Sequence, residues 1–251
     1  MKKILFLASL FHKAFAFIKN WYIKPITLNV TGNIADLTKL YITNADNFAS
    51  LGGETVTISG TVTAAQADAI ADETTGAVTA NIAAATAASL NTALVDANGG
   101  ANAYKLTVNG ATASAATLEA LNAKTSKAIT VEAKEVVGTL AQLETVFDTN
   151  ADDYKGLGNK NIKVSGTVAV TDLGDLDAIL ATTSGVVTAT VGAGSATNLI
   201  ADLTNATSGK DALTLVTDNA ARTPLMVVNV PYGSALSVKP GDKVKKGDLI
   251  A

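Results

Sequence analysis

An internal duplication constrains this chain more than any other feature. Asn44-Ala45-Asp46-Asn47-Phe48 lines up with Asn150-Ala151-Asp152-Asp153-Tyr154 at an offset of 106 residues. Leu51-Gly52 pairs with Leu157-Gly158, and Ser59-Gly60-Thr61-Val62 with Ser165-Gly166-Thr167-Val168, at the same offset. Val30, Gly32 and Leu37 likewise find Val136, Gly138 and Leu143. Further on, Ala69-Ile70, Gly76 and Val78-Thr79-Ala80 match Ala178-Ile179, Gly185 and Val187-Thr188-Ala189 at an offset of 109, which a three-residue loop insertion explains. Whatever the first unit builds, the second must build again.

Inside each unit runs a shorter rhythm. Strand-like runs rich in Val, Ile and Thr, many alternating with period two, are predicted over 26–31, 55–63, 77–82, 104–109, 128–133, 161–170, 186–191 and 212–217. Between them apolar residues recur at helical spacing: Ile34, Leu37 and Leu40; Leu118 and Leu121; Leu140, Leu143 and Phe147; Leu173, Leu176 and Leu180; Leu199, Ile200 and Leu203. Many of these are preceded by Ser, Thr, Asn or Asp, which cap first turns; Thr171-Asp172 before Leu173 is one example.

A strand start every 20 to 35 residues with a helix in most intervals is the pattern of a repeat array, in which stacking supplies the core that one turn cannot. The expected fold is α/β: a solenoid of short strands and short helices, with a parallel strand stack in a leucine-rich-repeat-like outline, followed by a C-terminal β-hairpin. The alternative is two compact α/β domains. The expected organisation is an N-terminal segment over 1–25, repeat units over 26–131 and 132–220, and a hairpin tail over 221–251. Composition fits thin, regular layers: 48% of the 251 residues are hydrophobic, but only 5% are aromatic.

The ends differ from the middle. Residues 1–35 carry five lysines and no acid, whereas the remainder has 14 basic and 22 acidic residues, a balance of -8. An acidic body argues against nucleic acid as a partner. Lys2-Lys3, the apolar run from Ile4 to Phe11 and the small residues around Phe15 read as an export signal, interrupted by His12 and Lys13. An amphipathic basic helix at a membrane or partner, or a cap on the first repeat, are the other readings, and membrane contact is expected only through this segment.

Chemistry is sparse. Without cysteine, disulfides and thiolate metal sites are excluded, and a single histidine excludes triads and multi-histidine centres in the repeat body. Asp148, Asn150 and Asp152, with Asp153 and Gly156 beyond, alternate oxygen donors as a calcium loop does, so calcium is the one candidate cofactor. Position six of that loop holds Asp153 where glycine belongs, and position twelve holds Asn159 rather than a bidentate Glu, so a solvated turn is the competing reading. Gly192-Ala193-Gly194-Ser195 lacks the Lys-Ser/Thr of a phosphate loop and reads as a connection. Ser59 and Ser165 have no base placed by any motif; Asp68, Asp72 and Glu73 read as a wet helix face. Asn29-Val30-Thr31 fits a glycosylation acceptor. No catalytic or cofactor-binding residues are assigned, and the chain is read as a non-enzyme.

Two resemblances add to this. Gly60-Thr61-Val62-Thr63-Ala64-Ala65-Gln66-Ala67 and Ala77-Val78-Thr79-Ala80 are similar in wording to the Ala/Thr/Val-rich repeats of large bacterial cell-surface proteins of marine bacteria and cyanobacteria. That resemblance covers about residues 26–220 and implies a secreted or cell-surface protein, adhesive or structural, with a protein, a surface glycan or its own copies as partner. The second lies over residues 230–251: Val230-Pro231-Tyr232-Gly233-Ser234-Ala235-Leu236, then Val238-Lys239-Pro240-Gly241-Asp242-Lys243-Val244-Lys245-Lys246-Gly247-Asp248-Leu249. It resembles a barrel-sandwich hybrid segment of the largest subunit of bacterial RNA polymerase, and part of it resembles biotinyl and lipoyl carrier domains. The polymerase's aspartate-rich metal motif and the biotin-bearing Met-Lys-Met are missing, so neither chemistry carries over. The tail instead suggests a second function, an interaction or insertion module of a larger intracellular assembly. A hydrolase whose carboxylates meet only in space is the third reading.

Overall fold

The structure, a computed structural model, describes residues 28–48, 51–95 and 101–215. The basic N-terminal segment with His12 and the tail with its polymerase-like stretch lie outside these residues.

In chain order the strands are β1 (Asn29–Asn33), β2 (Thr55–Val62), β3 (Val78–Ile82), β4 (Ala103–Lys105), β5 (Thr107–Val108), β6 (Thr112–Ser114), β7 (Ile129–Val131), β8 (Glu135–Gly138), β9 (Tyr154–Lys155), β10 (Asn161–Val168), β11 (Val187–Val191) and β12 (Ala212–Leu215). They form three sheets, in the orders β1-β2-β3-β4, β5-β7-β9 and β6-β8-β10-β11-β12, and each pairing is parallel. No sheet among the described residues closes into a barrel.

Parallel neighbours need a crossover, and helices supply it. These are α1 (Ile34–Thr38), α2 (Ala64–Ala71), α3 (Ala87–Ala93), α4 (Ala115–Asn122), α5 (Leu140–Glu144), α6 (Leu173–Thr182) and α7 (Ala196–Asp202). The longest has 10 residues, well below what holds together alone in water. They persist because Leu37, Leu90, Leu118, Leu121, Leu143, Leu176 and Ile179 are buried against the strands, each worth roughly 1.5–3 kcal/mol. No helix among the described residues is long and apolar enough to cross a membrane.

Strands hand over to helices through side-chain caps. Asn33 accepts from the Asp36 amide, Thr86 from Ser89 and Ser195 from Asn198. Thr63 with Gln66 and Thr139 with Gln142 form complete capping boxes. Asp172 corrects the capping expectation. It stands at the right position but makes no capping bond; a 3-10 turn over Val170–Asp172 precedes α6, and its Oδ1 accepts from the Thr171 hydroxyl instead.

The apolar core is continuous from Leu37 to Val191. In β3, Val78, Ala80 and Ile82 point into it while Thr79 and Asn81 point out. The wet-face reading of α2 needs correction at Asp68, which is 8% exposed. Its helical period puts it beside Ala64, Ala67 and Ala71 on the buried side; Asp72 and Glu73 are exposed as expected.

The elements themselves recur at the sequence offset. α1 runs into a π-helical turn over Lys39–Thr43 and a 3-10 turn over Ala45–Asn47. α5 does the same over Thr145–Thr149 and Ala151–Asp153. In β2 the register against β3 slips between Thr57 and Thr61, with Gly60 at φ 83°. In β10 it slips against β11 between Lys163 and Thr167, with Gly166 at φ 85°. Ser59-Gly60 and Ser165-Gly166 are thus the extra residues of the same bulge, which needs the left-handed backbone glycine allows. The stretch between the two halves, with β5, β6, α4 and β7, has no counterpart among the described residues, and neither do β9 and the 3-10 turn over Val170–Asp172.

Candidate functional site

A recurring corner sets the spacing between turns. Thr74 is buried; its hydroxyl donates to the Glu54 carbonyl at 2.7 Å and accepts from the Gly76 amide at 3.0 Å. Thr125 repeats this toward the Tyr104 carbonyl and the Lys127 amide at 2.8 and 3.1 Å. Thr183 repeats it toward the Lys160 carbonyl and the Gly185 amide at 2.7 and 3.0 Å. The backbone of Thr75, Ser126 and Ser184 donates one turn back to Gly52, Asn102 and Gly158. Gly76 and Gly185 lack a Cβ because one would press into the Glu54 or Lys160 carbonyl. In the middle corner a lysine, Lys127, takes that place.

After each corner the strands present one side to the helices and the other outward. The outward residues form rows across the sheets. In the first half, Thr31, Thr57, Thr79 and Ala103 make one row and Thr61, Asn81 and Lys105 another. In the second half the matching rows are Val137, Lys163, Thr188 and Ala212, and Thr167, Thr190 and Thr214. Parallel sheets are commonly covered on both faces and their strands read as unbroken apolar runs. Here the described residues cover one face only, and the other is a hydroxyl-rich surface.

Across this face, where the first sheet gives way to the middle one at the buried Leu106, lies an open groove of about 640 Å³. β2 contributes Ile58, Gly60 and Thr61; β3 contributes Thr79, Ala80 and Asn81; Ala103 and Lys105 follow from β4. Lys127, Ala128 and Thr130 come from the corner and β7, and Lys155 from β9. Three exposed lysines therefore line it, and none of the lining residues is an acid. Among the described residues no hydrogen bond or ion pair engages the Lys105, Lys127 or Lys155 ammonium groups. Lys124 contrasts with them: its Nζ donates to the Asn91 carbonyl at 2.8 Å and to that of Leu94, closing the end of α3. On the groove wall the Asn81 amide donates to the Thr61 hydroxyl at 2.8 Å.

The residues singled out from sequence fall elsewhere. Asp148 sits exposed on the π-helical turn, Asn150 follows it, and Asp152 is exposed on the 3-10 turn. No group of three or more acidic or histidine side chains suited to a metal ion occurs among the described residues. Asp153 accepts from the Asn122 side chain at 2.8 Å. Asp148 instead shares a carboxylate patch with Glu144, Asp172 and Asp175; burial and then these neighbours raise the Glu144 pKa above its usual range. Ser59 and Ser165 are exposed in their bulges, the Gly192–Ser195 stretch is a connection before α7, and Asn29 is exposed in β1.

Two buried tyrosines with raised pKa values, Tyr41 and Tyr154, lie outside the groove lining. Glu54 accepts from the Gly52 and Gly53 amides at 2.8 and 3.2 Å and from the Tyr41 hydroxyl at 3.4 Å. Burial, then the Glu54 charge and hydrogen bond, push Tyr41 up to about 12. Burial, then Glu119 and Asp153, raise Tyr154 as well.

No sequence motif marks the groove lysines, because they come from β4, a corner and β9, far apart in the chain. The signal was in the duplication: Lys105 stands where the second half has Thr214, Asn81 where it has Thr190, and Lys127 where two sibling corners have glycine. Comparison with protein-family models, with curated proteins and with solved structures finds no match to this chain.

Proposed function

We propose that this is a non-enzymatic repeat protein of the cell surface or extracellular space, built as a β–α solenoid, that adheres through its bare strand face. The observation behind this reading is the one-sided covering of a parallel sheet. A face of Thr, Asn and Lys side chains costs little to leave in water and offers donors in rows. Such a surface suits a long, repetitive partner held by many weak contacts, a glycan or the same chain, rather than a small molecule enclosed in one pocket.

The absence of cysteine makes the test direct. Single cysteines at Thr79 or Thr188 on the strand face, or at Glu73 or Asp175 on the helix side, would each be coupled to a bulky maleimide-polyethylene glycol. Retention on immobilised chitin, cellulose, polygalacturonate and the unlabelled chain itself is then measured. Retention on at least one support, lost with the strand-face labels and kept with the helix-side labels, is the expected result. Equal loss from both sets, or no retention on any support, overturns the reading.

A further inference from the structure

We propose that the groove over β2, β3, β4, β7 and β9 is a binding site for an acidic polysaccharide, a sugar chain bearing carboxylate or sulfate groups. This rests on the strand face being the working surface, and adds the ligand class. The argument begins with charge. Beyond residue 35 the chain carries a net -8, yet the groove collects Lys105, Lys127 and Lys155 with no carboxylate among its lining residues. Their ammonium groups engage no protein partner among the described residues, so their charge is available to a ligand.

The duplication then separates what the scaffold needs from what it does not. The pair Asn81 and Lys105 lies side by side across β3 and β4, and Thr190 and Thr214 lie at the same register across β11 and β12. The same ladder is therefore built without the amide or the ammonium. Lys127 departs further, replacing the glycine of two sibling corners while keeping the Thr125 hydrogen bonds. The scaffold calls for none of these three side chains.

The remaining lining narrows the ligand. Thr61, Thr79, Asn81 and Thr130 offer hydroxyl and amide groups beside the amines, which fits a polymer carrying hydroxyls and acids together. The small side chains of Ala103 and Ala128 leave the floor shallow, and Ile58 and Ala80 line it from strand positions whose side chains are buried in the core. No arginine and no aromatic ring lines the groove, so the planar phosphate fork and the base-stacking platform of single-stranded nucleic acid sites are both missing. The volume lies within the usual range of small-molecule sites, roughly 300–1,000 Å³, which is room for a few sugar units of a longer chain.

The experiment is calorimetric titration of the full chain with oligomers of polygalacturonate, dextran sulfate and neutral dextran, with polyglutamate as an acidic polymer that has no sugar. The expected result is binding to one or both charged sugars, no binding to dextran, and weakening as salt rises. The triple variant Lys105→Ser, Lys127→Ser, Lys155→Ser should lose at least tenfold in affinity. Lys39→Ser, Lys134→Ser, Lys160→Ser removes the same charge away from the outward rows of the strand face and should change it less than threefold. The milder pair Asn81→Thr with Lys105→Thr copies residues the second half already accepts, keeps the protein folded, and should also weaken binding. Whichever charged sugar binds better names the acid group. Equal loss from both triple variants, or groove-dependent binding of polyglutamate as tight as that of the sugars, overturns the assignment. So does retention on chitin or cellulose through the strand face with no binding to either charged sugar, an outcome that leaves the adhesive reading standing.

Discussion

Residues 29–105 and 135–215 share four strands and three helices in the same order, with a π-helical turn, a 3-10 turn and a glycine bulge, yet differ in what they hang on that frame. The corners are the invariant part: Thr74 and Thr183 make the same pair of hydrogen bonds at the same distances. Side chains above and below the sheets are the variable part. Tyr41 and Glu54 form a buried pair in the first half, while Phe147 and Lys160 occupy those places in the second. Asn81 and Lys105 face outward in the first half, and two threonines replace them in the second. The lesson is that chain path is specified at the corners and bulges, which frees the outward rows to diverge.

The strongest challenge to that equivalence is at the glycines. A Cβ on Gly76 would press into the Glu54 carbonyl and lie 2.8 Å from the Thr55 nitrogen; one on Gly185 would do the same to Lys160 and lie 2.8 Å from the Asn161 nitrogen. Backbone cannot move aside as a side chain can, so Gly76→Ala and Gly185→Ala should each cost about 3 kcal/mol or more. Urea unfolding reads both. A single transition shifted equally by either change means that the two halves melt together. An early transition created by only one of them breaks the comparison.

A smaller effect tests the corner hydrogen bonds. Thr74→Val and Thr183→Val keep the shape but remove a hydroxyl that donates to the Glu54 or Lys160 carbonyl and accepts from a partly buried amide, so each should cost about 1–3 kcal/mol. Equal losses sharpen the equivalence of the corners, and a loss confined to Thr74→Val would assign the second corner's stability to other contacts.

The smallest effect concerns a place where the halves differ. Tyr41 holds its proton up to about pH 12, against about 10 in an unfolded chain. The stability this raised value contributes is intact below about pH 10 and is lost as pH rises through about 12. Tyr41→Phe makes the first half resemble the second, where Phe147 stands. Near pH 7 the change should be within about 1 kcal/mol, since Glu54 keeps its two amide donors. Above pH 10 the variant should lose stability less steeply than the parent. A residual slope is expected from Tyr154, whose raised pKa acts with the same sign. Identical slopes in parent and variant would show that the Tyr41–Glu54 pair does not distinguish the halves.

Much of this was legible in the sequence, and the reasons are local. The run from Thr55 carries enough β-branched residues to reveal β2, and the Leu173, Leu176 and Leu180 spacing reveals α6. β9, with two residues, and β6, with three, are too short to show a period. β8 was signalled by Val136 and Gly138 matching Val30 and Gly32, although Glu135–Gly138 has no run of its own. α3 is obscured by alanine, which fits helix, turn and strand wording alike, whereas the acids from Asp68 onward mark α2. The break of the 104–109 run at Leu106 is set by its neighbours, because β4 pairs with β3 while β5 pairs with β7. Of the groove, the threonine rows were visible as alternation. The gathering of lysines from β4, the middle corner and β9 depends on register, which one strand's sequence does not contain.

Pairing in chain order has one more consequence. Each strand meets the strand roughly one turn later, so most loops to be closed during folding span only about two dozen residues, and the entropy of closure stays nearly constant along the chain. Low contact order of this kind favours fast, stepwise growth from any nucleus. It also lets one pattern be used twice: four strands and three crossover helices recur across 106 to 109 residues with the same parallel pairing.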